Sequence, residues 1–343
     1  MSNSMNDILF AMQQRNLVYN GNFLYYSNKA VVNSLVTFNH PDGWIYKDPG
    51  SGGEISFDEA TKSCLIQKST DGAQMTFNQI VSEFPRWKKV LSTQKVSACV
   101  LINNPAAAQT SFELTFSISD GISTSSKTLL FSPDEQKEIS IEILVSKDAT
   151  KLELSLACST KKAVILVDKV YANIGNIALD TLSCMVTGVI GERRQYIATE
   201  NAPEEELSLC NAAIELDNNY TRLNSVLNYR FGKGQNGNSM LLDMRGYFSR
   251  AWDNGAQVDT NADTRTAPGT GTVKGDHVST FEQDIFLKHD HGLKFGINKP
   301  ILTGDKGTAT IIDVNGTSRT NIDADGEETR PKNIAELYTI KWA

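Results

Sequence analysis

Between residues 111 and 158 the chain repeats one pattern: apolar side chains at every second position. SFELTFSIS sets Phe112, Leu114, Phe116 and Ile118 on one face. EISIEILV does the same with Ile139, Ile141 and Ile143, and KLELSLAC with Leu152, Leu154 and Leu156. A period of two belongs to a strand with one buried face, and no helix can bury such a set together. The segments are short and are separated by breaker runs such as NNPAAAQ, SDGISTSS and SPDEQKE. The expected architecture is therefore mainly β, with an antiparallel β-sandwich in the first half. A short helix over residues 4–14 precedes it and could anchor the chain to something upstream.

Charge narrows the partners. A net charge of -7 argues against nucleic acid, because phosphate binding draws on clustered Lys and Arg, and the longest basic clusters here are RWKK and TKK. The longest apolar run of note, AVILV at 163–167, is of core-strand length, so membrane insertion is not expected. The first residues, MSNSMNDILFAMQQRN, lack the basic start and long apolar run of a secretory signal. Cys64, Cys99, Cys158, Cys184 and Cys210 are odd in number and scattered, and read as reduced thiols in a chain made in a cytoplasm.

The texture changes around 175–190. Apolar residues become sparse beyond 230, and residues 253–280 contain almost no core material. Yet the chain closes on ELYTIKWA, where Tyr338, Ile340 and Trp342 alternate like a buried strand. A long polar region followed by an anchoring strand packs more readily if neighbouring chains supply the missing core. The expectation is an oligomer with an intertwined C-terminal tip.

Two resemblances follow. NLVYNGNF at 16–23, HPDGW at 40–44 and the strand AVILVDKVYANIG with Asp168 resemble the galactose-binding-like jelly rolls used as carbohydrate-binding modules. That likeness implies sugar binding through exposed rings, for which Trp44, Tyr46 and Trp87 are available. Trp44, directly after a Pro-Asp-Gly turn, reads better as a core plug.

The second is more specific. Residues 207–255, LSLCNAAIELDNNYTRLNSVLNYRFGKGQNGNSMLLDMRGYFSRAWDNG, resemble the collar-type domain of phage tail fibres. Leu209 and Cys210 start the pattern, Tyr220 and Leu223 give its helix, and Gly232 and Gly234 its loop. Asp243, Arg245, Gly246, Phe248, Arg250, Trp252, Asp253 and Gly255 complete it, and ETRPKNIAELYTIKW resembles the terminus of the same group. Asn211-Ala212 stands where the family has Asp-Gly, and Leu242 and Met244 replace its Pro and Leu. No catalytic residues are carried over. Asp243, Arg245, Arg250 and Asp253 read as turn-fixing ion pairs and hydrogen bonds, because the planar guanidinium grips a carboxylate with two donors. The organisation implied is an attachment segment at 1–15, a jelly roll at 16–178, a collar-type α+β domain at 179–255 and an intertwined trimeric tip at 256–343.

FLKHDHGLKF places His289 and His291 two residues apart, on the same side of a strand and about 6.5–7 Å from each other. Three chains around one threefold axis, each giving its one pair, would bring six imidazoles to a single ion. So many nitrogens suit an octahedral ion better than tetrahedral zinc. The likeness to T-even long-fibre tips implies iron in preference to zinc, one ion per trimer. His40 and His277 lack such spacing and read as loop histidines. GKGQNGNS lacks the GK[ST] of a phosphate loop, DADGEE fails the EF-hand spacing, and ENAPEEEL reads as a solvated acidic face.

The function expected is a homotrimeric tail fibre or fibre tip of a phage or phage-tail-like particle. It would attach to bacterial surface polysaccharide or lipopolysaccharide and join the baseplate or another fibre component through its N-terminus. Receptor contacts are placed in the polar loops between 256 and 330, without individual residues. A fibre-borne glycan depolymerase and a purely structural particle component are the alternatives. Metal analysis of the purified protein should find one ion for every three chains. Joint replacement His289→Ala/His291→Ala should remove the ion and lower the melting temperature.

Overall fold

In a computed structural model, residues 14–27, 40–50, 52–283 and 333–343 are described, so the expected helix at 4–14 and the pair His289 and His291 lie outside the described residues. The first half is the expected antiparallel sandwich. One sheet runs in the order β1 (Ile45–Lys47), β4 (Met75–Ile80), β9 (Glu153–Cys158), β6 (Phe112–Ser119) and β7 (Thr124–Phe131). The other is β2 (Glu54–Asp58), β3 (Ser63–Gln67), β10 (Val164–Ile174), β5 (Lys95–Asn104) and β8 (Glu135–Leu144). The period-two sets point inward as predicted: Phe112, Leu114, Phe116 and Ile118 are buried, as are Ile139, Ile141, Ile143, Leu152, Leu154 and Leu156. Their register is set by pairs such as Phe112 opposite Phe131, whose rings stack at 5.2 Å. Asp168 sits at a bulge in β10, where its carboxylate accepts from Ser63 Oγ and, at 2.8 Å, Gln136 Nε2.

Lys68 and Asp48 form a fully buried ion pair in the sandwich. Lys68 Nζ lies 3.2 Å from Asp48, and the ammonium also donates to Ser69 Oγ and, at 3.2 Å, to the Asp71 carbonyl. Burial raises the Asp48 carboxyl, but donors from Ser69, Gly50 and Lys68 outweigh it and hold the group below the usual aspartate range.

The second half forms a smaller layer. Its sheet is β11 (Arg193–Tyr196), β13 (Leu337–Lys341) and β12 (Glu206–Ser208), with the C-terminal strand in the middle. Here the structure corrects an expectation. The sequence leads one to expect the closing strand in a tip completed by neighbouring chains, yet both its edges are hydrogen-bonded within its own chain: Arg193 lies opposite Ile340, and Leu207 opposite Ile340 on the other side. The physical reason is burial of Ile340 in a local core with Tyr19, Ile190, Leu209, Leu223 and Leu241. Nor is the acidic run wholly solvated. Glu206 is buried, its carboxylate taking Arg194, the Tyr196 hydroxyl and Thr339 Oγ1.

The two halves meet through side chains that do not follow from either pattern. The short helix α1 (Trp87–Leu91) buries Val90 and Leu91 in the sandwich core, and α2 (Thr221–Leu227) lies against β4. No side chain of α2 caps its own N-terminus; buried Glu83 does so instead, accepting from the amides of Thr221 at 2.7 Å and Arg222 at 2.9 Å. Arg222, also buried, donates from Nε to the Ile80 carbonyl at 2.9 Å and faces Glu83 at 4.0 Å. Burial pushes the Glu83 carboxyl up, against the pull of the Arg222 charge and the helix amides. Gly43, at φ +83°, lets the Pro-Asp-Gly turn pass over Tyr19, whose ring would lie 2.6 Å from an added Cβ. Replacing Glu83 by Ala strips the cap and leaves Arg222 buried without its counter-charge. Chemical denaturation should show a loss of about 3–5 kcal/mol, and Glu83→Gln, which keeps an acceptor, should lose less.

Candidate recognition face

The rings expected to bind sugar are not presented for it. Trp44 and Tyr46 are buried, with Trp44 stacked on Phe77 at 4.6 Å and its indole N–H donating to the Asn20 carbonyl, as the core-plug reading holds. Trp87 is partly buried against the sandwich core. The outward positions of β4, β6, β7 and β9 carry short polar side chains such as Thr76, Thr115, Ser117, Ser126, Thr128 and Ser155. They form no aromatic platform.

The exposed rings gather elsewhere. Phe248 is 65% exposed and Trp252 50%, with Tyr247 beside them and Val258 and Val278 also exposed. Two chain segments, 247–258 and 276–282, form this ledge. Trp252 donates from its indole to the Asp276 carbonyl at 3.2 Å, and Tyr247 meets Phe281 edge-on at 5.5 Å. The Asp276 carboxylate accepts from the amides of Asn254 and Gly255.

The ledge explains how a region so poor in core residues holds a shape. Ala262 and Val273 are buried there, but carboxylates organise most of the backbone. Asp253 accepts from the amides of Gln257, Val258 and Asp259, and Arg265 bridges Asp259 and Glu282 while donating to Thr280. Arg250 reaches the same two acids at 3.4 Å. Arg245 grips Asp243 through Nε and Nη2, the latter at 2.7 Å. The turn-fixing roles read for Asp243, Arg245, Arg250 and Asp253 are what these contacts do. Those charged groups are engaged internally, and beside them the ledge exposes ring faces and valines.

Three sequence features resolve chemically. In the GKGQNGNS loop the Glu215 carboxylate accepts from the amides of Asn236 and Asn238, so the loop holds its own anion. Ser225, His40 and Asp42 come together, but not as a hydrolytic relay. The Ser225 hydroxyl donates to the Trp44 carbonyl at 3.0 Å, the His40 ring lies 3.4 Å away, and Asp42 accepts from Ser27 instead. All five cysteines are free, and burial pushes the Cys64 thiol up to about 12. Among the described residues, no group of three or more His, Cys, Asp or Glu could hold a metal ion, and no helix is long and apolar enough to cross a membrane.

Sequence reasoning named Phe248 and Trp252 only as motif positions and did not name Tyr247. The available signal was GYFSRAW itself, large rings amid residues with no apolar period to bury them. The amide of Asp259, with those of Gln257 and Val258, holds the Asp253 carboxyl below its ordinary value. Its contribution is therefore complete above the unfolded aspartate pKa of about 3.9 and is lost as pH falls through the lower folded value. Trp252 emission, isolated by difference against Trp252→Phe, should stay constant down to about pH 4 and shift red below it. Asp253→Ala should show the red-shifted emission at neutral pH.

No protein-family model matches the chain, and no curated protein sequence matches it. Among solved structures, it is similar to the module TmCBM61 in complex with β-1,4-galactotriose, at 10% identity and a TM-score of 0.33, covering 47% of this chain and 99% of that one. It is similar to the CBM22-1 xylan-binding domain of Xyn10C from Paenibacillus barcinonensis, at 14% identity and a TM-score of 0.30, covering 41% and 91%. A third similar structure is the enzymatically active domain of tailspike protein 4 from bacteriophage CBA120, at 13% identity and a TM-score of 0.30, covering 47% of this chain and 21% of that one.

Proposed function

We propose that this chain is a homotrimeric receptor-binding subunit of a phage tail or phage-tail-like particle, attaching it to polysaccharide or lipopolysaccharide on a bacterial surface. One observation carries the reading. The two ends of the collar-type resemblance, LSLC at 207–210 and ELYTIKW at 336–342, are separated by more than a hundred residues yet lie side by side: Ser208 pairs with Thr339, Leu209 donates to the Tyr338 carbonyl at 2.8 Å, and the Tyr338 amide reaches Cys210 Sγ. The motif pieces between them fall on α2 and the residue before it, on the glycine loop and on the ledge, which supports taking them together as one unit.

In this reading the sandwich carries or spaces the tip, and the apolar ledge supplies area for contact between copies. His289 and His291 from each chain would hold the ion, whose chemistry is to cross-link the copies in register. Neutral imidazoles are donors suited to iron. Attachment then works by multivalency: weak glycan contacts repeated over three tips and several fibres give durable adhesion. Assembly takes place in the bacterial cytoplasm, with the N-terminal segment facing the baseplate or another fibre component.

The test is adsorption. Purified protein should coat susceptible cells and block particle adsorption, and light scattering should give the mass of three chains. Release of reducing sugar from host polysaccharide would favour a depolymerase instead. Failure both to coat cells and to block adsorption would leave a structural particle component.

A further inference from the structure

The turn at residues 20–25 is held in an unfavourable backbone conformation, and its strain presents a ring. Asn20 and Phe23 both have positive φ, +50° and +55°; asparagine tolerates this region, but a bulky residue such as phenylalanine rarely adopts it. Packing of Phe23 against Trp44 and Phe77 holds it there. Buried Asn20 then clamps Tyr25 from both sides: its Oδ1 accepts from the Tyr25 amide at 3.0 Å, and its Nδ2 donates to the Tyr25 carbonyl at 2.9 Å. Gly21 brings the turn against β10, where an added Cβ would lie 2.1 Å from the Val170 carbonyl oxygen. The result is a Tyr25 ring, 42% exposed, lying nearly parallel to Tyr19 with centroids 6.2 Å apart.

That ring borders a cleft of about 380 Å³. Tyr19 and Val186 contribute apolar lining, and Asn22, Lys169 and Asp180 supply polar groups, with Lys169 Nζ 2.8 Å from the Asp180 carboxylate. We propose that this cleft is a sugar subsite for a neutral pyranoside, stacked on Tyr25 and held through its hydroxyls by Asn22, Lys169 and Asp180. The proposal deepens the attachment reading and rests on it for the class of ligand, but it concerns a surface remote in sequence from the 247–258 ledge.

Four observations select this ligand. An exposed ring that is fixed in advance loses little freedom on binding, which suits a ligand with few strong contacts. A paired cation and carboxylate can serve several hydroxyls as donor and acceptor while presenting no net charge. Lys169 is already paired with Asp180, and the overall charge of -7 disfavours an acidic sugar. The volume lies at the lower end of ligand pockets, roughly 300–1,000 Å³, which fits a mono- or disaccharide rather than a long chain.

The test is saturation-transfer NMR of the full chain with the methyl glycosides of glucose, galactose, N-acetylglucosamine and glucuronic acid. A neutral glycoside should bind, Tyr25→Ala should weaken it roughly tenfold or more with an unchanged melting temperature, and Leu130→Ser, at an exposed position of β7 outside the cleft, should leave it intact. Lys169→Met, at the exposed rim, should also weaken it and serves if Tyr25→Ala does not fold. The proposal is overturned if no glycoside binds, if Tyr25→Ala and Lys169→Met bind like the parent, if the loss follows Leu130→Ser equally, or if the glucuronide binds best. The attachment reading fails separately, in the adsorption assay on whole cells.

Discussion

Glu83 stands where the sandwich ends and the second layer begins, and its carboxylate is the cap that α2 lacks in its own sequence. Helix ends leave amides unsatisfied, and burying them without partners is costly. Seven residues of helix have little stability of their own, so α2 persists because a distant chain segment completes it. Arg222 answers the charge thus buried and returns a hydrogen bond to β4 at the Ile80 carbonyl. The core around Leu223, Val226 and Ile340 forms on this junction, and the C-terminal strand is threaded into its place there.

From that layer outward the source of order changes. The sandwich is held by apolar burial between two sheets, whereas residues 243–282 are held mainly by carboxylates that collect backbone amides and by arginines that tie carboxylates together. Such bonds fix turns without needing a core, which leaves large side chains free to remain on the surface. Phe248 and Trp252 are exposed for that reason. Tyr25 is exposed for a different one: a strained turn, paid for by the core beneath it, holds it out. Both arrangements present apolar area that is ordered in advance, so little freedom is lost when another surface meets it.

Much of the fold was legible in the residues, and the illegible part had a common character. The inward sets on β6, β8 and β9 could be read because alternation reports the local direction of side chains. Trp44 could be read as core because it directly follows the Pro-Asp-Gly turn. The roles of Asp243, Arg245, Arg250 and Asp253 were legible too, since each acts within or near its own turn. The in-chain pairing of the closing strand was not, because its partners at 193–196 and 206–208 are short, polar and far away in sequence. The burial of Glu206 escaped as well: an acidic run looks solvated until β13 brings Thr339, and β11 Arg194, to meet it.

The sequence by itself determined the sandwich, the sides its strands bury and the character of the polar second half, because these depend on periods and turns that operate over a few residues. Only the tertiary structure decided which strand lies between β11 and β12, which acid caps α2 and which rings reach the surface. The first two depend on groups brought together across more than a hundred positions. No local pattern records whether a buried charge or an open amide will find its partner at that distance.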